Sequence, residues 1–300
     1  MNGWHRVALA ALLGGISTTA LAFEADNLNY GGDATVVFDD NQSQAQHERD
    51  QVEDRSLQVS AQGGYDFELT QHSMFSAGAF AEFEKMDETD TLDRTTFGAR
   101  GTYRWQPSSA FSAPLVAFKV SWQDDNYDEK ARDSSVLISQ LFVTRRFTDR
   151  ITATAGLQYR NRDSEGLVWD LTDERVFVNV DYSITSALAS YLTYSYIQGD
   201  VYSSAQGTFC NGTTATDILP LIDAATAIEE DNAYNNTQCG DWLAYRLDAH
   251  TQTAVLGLNY GLSHNVSIDL SVLGVTVQAT DAADVSYDRR LIRASLLTRF

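Results

Sequence analysis

Arg289-Arg290-Leu291-Ile292-Arg293-Ala294-Ser295-Leu296-Leu297-Thr298-Arg299-Phe300 is a sequence of period two. One set reads Ile292, Ala294, Leu296, Thr298, Phe300; the interleaved set reads Arg289, Leu291, Arg293, Ser295, Leu297, Arg299. Successive side chains of a strand point to opposite faces, so this segment has one apolar face and one mixed, basic face. The same period recurs upstream. Residues 55–69 set Leu57, Val59, Ala61, Gly63, Tyr65, Phe67 and Leu69 against Ser56, Gln58, Ser60, Gln62, Asp66 and Glu68. Residues 151–162 set Ile151, Ala153, Ala155, Leu157 and Tyr159 against Thr152, Thr154, Gln158, Arg160 and Arg162.

Twelve such segments are expected, at 31–39, 55–69, 74–85, 94–105, 114–123, 134–147, 151–162, 174–184, 189–199, 246–261, 266–280 and 286–300. The phase of 134–147 is ambiguous, because both of its faces carry apolar residues. An even count puts both ends of a closed sheet on one side. The connections alternate in length. Short ones fall at 70–72, 106–112, 148–150, 185–188 and 262–265; long ones fall at about 40–54, 86–93, 124–133, 163–173, 201–245 and 281–285. A soluble sandwich has no reason to sort its connections by side, whereas a membrane barrel has short turns at one end and long loops at the other. The three prolines, Pro107, Pro114 and Pro220, stand at turns, strand edges or loops, as a closed ladder requires.

The start of the chain has a different character. His5 and Arg6 precede an apolar stretch from Val7 to Ile16, and Ala20-Leu21-Ala22 is a cleavage signal of A-x-A type. The apolar run is shorter than the roughly 20 residues of a membrane-spanning helix. The expected organisation is a cleaved leader, 1–22, and a single barrel domain, 23–300. A formal charge of -20 excludes a surface built for nucleic acid. Cys210 and Cys239 lie in one polar segment, and export predicts that they pair and staple the loop 201–245.

The terminal strand ending on Phe300 resembles the end of Gram-negative outer-membrane β-barrel proteins. So do the strand–turn–strand units Arg146-Phe147-Thr148-Asp149-Arg150-Ile151 and Tyr260-Gly261-Leu262-Ser263-His264-Asn265-Val266, which are similar to those of porin-like barrels. The resemblance implies an all-β, up-and-down transmembrane barrel in the outer membrane, often a channel. It also implies a C-terminal strand read by the barrel assembly machinery through Phe300, with outer-membrane lipid and lipopolysaccharide as surroundings. It carries over no catalytic residue.

The faces opposite the apolar ones hold the candidate pore lining. Acids cluster at Asp66, Glu68, Glu82 and Glu84; bases at Arg100, Arg104, Lys119, Arg160, Arg162, Arg175, Arg293 and Arg299. Two readings stand. Opposed charges across a narrow pore would focus solutes of one sign, the arginines serving small anions; alternatively, interior salt bridges fill a narrow barrel that serves as a structural or export-accessory element. Acidic loops such as Asp124-Asp125-Asn126-Tyr127-Asp128-Glu129 match no complete calcium-loop spacing, and no cofactor or metal is expected. In the long loop, Ile218, Leu221, Ile222, Ala225 and Ile228 have helical spacing, with Asp217 as cap. That helix is expected either over the barrel mouth or in an external lobe. A lipid hydrolase is the remaining class. The outer-membrane phospholipase family carries a His-x-Ser pair; His47, His72, His250 and His264 include none, and no enzyme is expected.

Overall fold

The computed structural model describes residues 27–280, 282 and 284–300, and before them only the backbone of 9–11 and 16–18. The expected leader and its cleavage site after Ala22 lie outside the fully described residues. Twelve strands run up and down in chain order. They are β1 (Leu28–Asp39), β2 (Asp54–Thr70), β3 (Ser73–Met86), β4 (Arg94–Trp105), β5 (Leu115–Tyr127) and β6 (Ser134–Arg146), then β7 (Ile151–Ser164), β8 (Leu171–Ser183), β9 (Leu188–Thr208), β10 (Asp241–Gly261), β11 (Val266–Ala279) and β12 (Ser286–Arg299). Each pairs antiparallel with the next, and β12 pairs with β1, Ser295 opposite Thr35, which closes the barrel. Closure leaves no ladder edge, and hydrocarbon tolerates none, since an unpaired backbone group there costs several kcal/mol. Phe300 extends the seam. Its backbone exchanges hydrogen bonds with Tyr30 (3.1 and 2.8 Å), and the two rings stack at 5.3 Å.

The apolar faces point outward. Leu57, Val59, Tyr65, Phe67 and Leu69 on β2, Val176, Val178 and Val180 on β8, and Ile268, Leu270 and Val272 on β11 are all exposed. The ambiguous β6 resolves the same way: Leu137, Leu141 and Val143 face out, while Val136 and Phe142 are buried inside. Its pattern is doubly apolar because Phe142 joins an internal cluster with Ala117 and Phe177.

Inward aromatics lie flat on the wall, over glycines of neighbouring strands. Phe142 and Phe177 flank Gly156, and Tyr191 covers Gly257 to give its hydroxyl to Asp269 on β11 (2.9 Å). A Cβ on Gly257 would lie 2.1 Å from the Tyr191 ring. Gly257→Ala therefore lifts the ring and weakens the Tyr191–Asp269 bond. The expected loss is about 1–3 kcal/mol, the usual cost of overpacking, read as a lower urea midpoint for the folded, heat-modifiable band in detergent.

The barrel is uneven in cross-section. Inward side chains of β8–β10 are buried, and Val37, Tyr191, Val255, Leu273 and Leu291 form an apolar cluster on that side. Inward side chains of β2–β4, such as Gln58, Ser60, Gln62, Asp66, Ser76 and Glu82, are only half-buried. The interior is therefore more accessible beside β2–β4 than beside β8–β10.

Strands β9 and β10 reach 21 residues each, and their connection is 209–240 rather than the expected 201–245. β8 stops pairing at Asp173 opposite Gly199, and β11 stops at Ala279 opposite Ala249. Beyond these points β9 and β10 continue as a free ribbon. Gly199 marks the departure, with φ +140° and its would-be Cβ 2.2 Å from the Thr172 carbonyl oxygen, a backbone that side-chain-bearing residues rarely adopt.

Candidate functional site

The ribbon is a lid. One of its faces carries Val201, Ala205, Leu243, Tyr245 and Leu247, which pack with helix α1 (Leu219–Ala224) and with Ala279 and Val285. Its other face carries Trp242, which packs with Val52, Met86, Leu92 and Tyr234; Tyr234 lies on helix α2 (Asn232–Asn235). A short strand, Ala227–Glu230, adds to the β10 side. The Cys210–Cys239 disulfide ties the base of the excursion, with Cα atoms 5.2 Å apart. The expected helix is shorter than its spacing implied. It ends at Ala224, and Ile228 belongs to the added strand, where a partner strand supplies better hydrogen bonds than an isolated turn. Asp217 caps nothing; it takes two hydrogen bonds from Arg49 (2.6 and 2.8 Å), which hold its carboxyl below its usual range.

Four long connections meet the lid in a repeated manner. Each contains a 3₁₀ turn whose third residue is buried: Asp50, Leu92, Arg132 and Trp169. In three of them a following aspartate closes back on the last residues of the preceding strand. Asp93 accepts from Met86 N–H (2.8 Å), Asp133 from Tyr127 N–H (2.6 Å) and Asp170 from Ser164 N–H (2.6 Å). Backbone bonds then join loop to loop, from Glu129 N–H to the Thr91 carbonyl (2.9 Å) and from Gly166 N–H to the Ala131 carbonyl (2.8 Å). Sequence reading missed this repeat. Its signal was an aspartate directly after a three-residue turn, at Asp93, Asp133 and Asp170.

The centre of the roof is an ion pair. Arg132 donates to both oxygens of Asp231 (3.0 and 2.9 Å) and lies over the rings of Trp169 (4.8 Å) and Tyr202 (5.2 Å). Asp231 also accepts from Ser204 Oγ (2.6 Å) and from Ala233 N–H. Burial by itself would lower the Arg132 guanidinium; the Asp231 carboxylate more than offsets it and holds the group charged. Burial also lifts the nearby Tyr234 hydroxyl well above its normal range. Asp50 is raised by burial too, although Arg49 Nε lies 3.4 Å away.

Beneath the roof the inward charges fall into two groups. Near the lid they are paired. Arg94 bridges Glu82 (2.6 Å) and Glu84 (2.9 Å), Arg160 pairs with Asp173, and Arg289 with Asp39. Arg162 donates to the Arg132 carbonyl (2.9 Å) and so supports the roof. A cavity of about 190 Å³ lies here, lined by Asp39, Asp54, Ser56, Glu84, Arg289 and Arg293 among others. Farther down, cations meet neutral partners. Arg100 donates to Gln62 Oε1 (2.6 Å), Arg104 to Ser76 Oγ (3.2 Å) and Arg175 to Ser195 Oγ (2.6 Å). None of these three forms an ion pair among the described residues. Lys119 is buried and pairs in register with Thr102, between Arg100 and Arg104.

The expected opposition of charges is thus redistributed. Glu82 and Glu84 are absorbed by Arg94 on the adjacent strand, because register neighbours are closer than groups across the lumen. Asp66 accepts from Ser76, and Glu68 is exposed at the short-turn end. Two further inward acids lie toward the short-turn end: Asp181, which shares β8 with Arg175 and accepts from Asn179 (2.8 Å), and Asp269, which accepts from Tyr191 and Asn259. β11, which carries Asp269, is six strands from β5 in the ring of twelve and so lies across from Lys119. Outside the barrel, His250 Nδ1 is within 2.9 Å of the Tyr196 hydroxyl on the lipid-side face.

No known family's sequence profile matches the chain. No curated protein matches it either. Among solved structures, the barrel is similar to the outer membrane channel from Pseudomonas putida F1, with TM-score 0.53 and 8% identity over 89% of this chain and 95% of that one. The fold is that of an outer-membrane β-barrel. The NanC porin (TM-score 0.44, 9% identity, 89% of this chain and 98% of that one) and the KdgM porin (TM-score 0.42, 9% identity, 90% and 99%) also align.

Proposed function

We propose that this chain is an outer-membrane channel for passive diffusion of small anionic solutes, closed at its loop end by the β9–β10 lid. The observation that carries this reading is the contrast in partners. Arg94, Arg160 and Arg289 near the roof pair directly with carboxylates, whereas Arg100, Arg104 and Arg175 are held by Gln62, Ser76 and Ser195 with no carboxylate in direct contact, and so offer their charge to a passing ion. Neutral hydrogen bonds orient a guanidinium without cancelling its field, and a low-dielectric wall focuses that field into the water path. Asp269 on β11, across the ring from β5, gives the field a transverse direction. On this reading the acidic long loops face lipopolysaccharide, and the assembly machinery reads the strand that ends on Phe300.

A second reading, a non-conducting structural or export-accessory barrel, draws on the packed roof and the filled β8–β10 side. Planar-bilayer recording separates the two. The expected result is rare, small openings of the full chain, with a reversal potential in a KCl gradient displaced toward chloride. Silence of both the full chain and a variant with its roof released would overturn the channel reading.

A further inference from the structure

The short-turn end of the barrel has a charge distribution opposite to that of the loop end. Its five short connections, 71–72, 106–114, 147–150, 184–187 and 262–265, hold one carboxylate, Asp149. The long loops are densely acidic, as at Asp87-Glu88-Thr89-Asp90 and Glu229-Glu230-Asp231. At the β6–β7 turn three arginines gather within six residues: Arg145, Arg146 and Arg150, all exposed. None of them ion-pairs with a carboxylate among the described residues, in a chain with 41 acidic residues to 21 Lys and Arg.

What they do contact is aromatic. Arg145 lies 5.5 Å from the Phe147 ring centre, and Arg146 lies 6.0 Å from that of Phe111 on the neighbouring turn. Both rings are open, Phe147 at 59% and Phe111 at 49% exposure. The turn itself is fixed: Thr148 Oγ1 accepts from Arg150 N–H (3.2 Å) and Ile151 N–H (3.0 Å). Directly above it, Leu141, Val143 and Leu157 belong to the outward apolar band. Arg145, on the outward face of β6 with Leu141 and Val143, therefore stands where hydrocarbon ends; Arg146, on the alternate phase at the strand's last residue, and Arg150 flank it at the rim. The Phe147 and Phe111 rings can enter the leaflet edge while the guanidiniums stay at headgroup depth.

We infer that the β6–β7 turn is a binding site for the phosphate of an anionic phospholipid headgroup in the leaflet at the short-turn end. Guanidinium groups match phosphate oxygens in bidentate geometry, and the cation–π contacts with Phe147 and Phe111 hold two of them ready. A site of this kind would fix the depth of the barrel at that leaflet. The inference needs only that the barrel spans a bilayer and is independent of whether it conducts.

The test uses the full chain in detergent, followed by native mass spectrometry with equal amounts of dioleoyl-phosphatidylglycerol and dioleoyl-phosphatidylcholine. Wild type should retain phosphatidylglycerol in preference. The variant R145Q/R146Q/R150Q should lose that preference, by about fivefold for each arginine removed, while keeping its heat-modifiable mobility. Arg55→Gln, on the outward face near the opposite rim, should change nothing. If the triple variant does not fold, Arg145→Gln alone takes its place. Equal retention of the two lipids by wild type, or an undiminished preference in the variant that folds, overturns the site.

Discussion

Asp231→Ala should release the lid. The substitution leaves the Arg132 guanidinium buried, 3% exposed, without its carboxylate. It also removes the acceptor of Ser204 Oγ and the cap of α2. Breaking a buried pair from one side costs about 3–5 kcal/mol, since the remaining charge is uncompensated. That cost falls on the roof and not on the barrel, whose ladders are untouched. An opening equilibrium biased by this amount shifts by about two to three and a half orders of magnitude. The expected readout is a large rise in open probability in planar bilayers, with faster proteolysis within 209–240 and an unchanged heat-modifiable band. Arg132→Met combined with Asp231→Leu supplies the control. Replacing both ions by apolar groups of similar size is often neutral, so the double variant should be nearly as quiet as wild type. Equal activation of both variants would show that the ion pair is not the latch.

The sequence made the barrel legible because a membrane imposes period two on every strand. Lipid contact forbids polar residues on one face, and that constraint reads directly from Leu57 to Leu69 or from Val176 to Val180. It also sorted the connections by length, and placed Cys210 and Cys239 in the same loop. β6 was illegible for the converse reason: Phe142 is apolar and inward because it covers Gly156, so lipid contact no longer explains every apolar side chain. The roof was harder still. Nothing local marks Arg132 as the partner of Asp231, 99 residues away, and a 3₁₀ turn closed by one aspartate looks like any acidic loop. The lumen was legible as composition but not as pairing. Glu82 and Glu84 face inward as their alternation implies, yet which cation takes them depends on register, which puts Glu84 opposite Arg94. The inward acids Asp181 and Asp269 were overlooked because each sits singly among apolar and small residues, without the clustering that drew attention to β2 and β3.

The cationic wall should decide which ion passes, so inverting it should invert the preference. Arg100→Glu with Arg104→Glu places two carboxylates beside Gln62 and Ser76, where two guanidiniums stood. Both positions are half-buried and border the accessible side of the lumen. Asp269 remains on the opposite side of the ring, so this part of the lumen becomes predominantly acidic, with Lys119, Arg175 and Arg299 left as its cations. Fields focused in a narrow low-dielectric path change local ion concentration by about tenfold or more. In a KCl gradient, recorded on the Asp231→Ala background so that the roof is open, the reversal potential should cross zero and move toward potassium. The effect should shrink as salt rises from 0.1 to 1 M, because the screening length falls from about 10 Å to about 3 Å. Inverting Arg94 instead should matter far less for selectivity, since Glu82 and Glu84 already cancel its charge. A reversal potential unmoved by the Arg100 and Arg104 inversion would remove the cationic wall as the selecting element and leave pore width alone to sort the solutes.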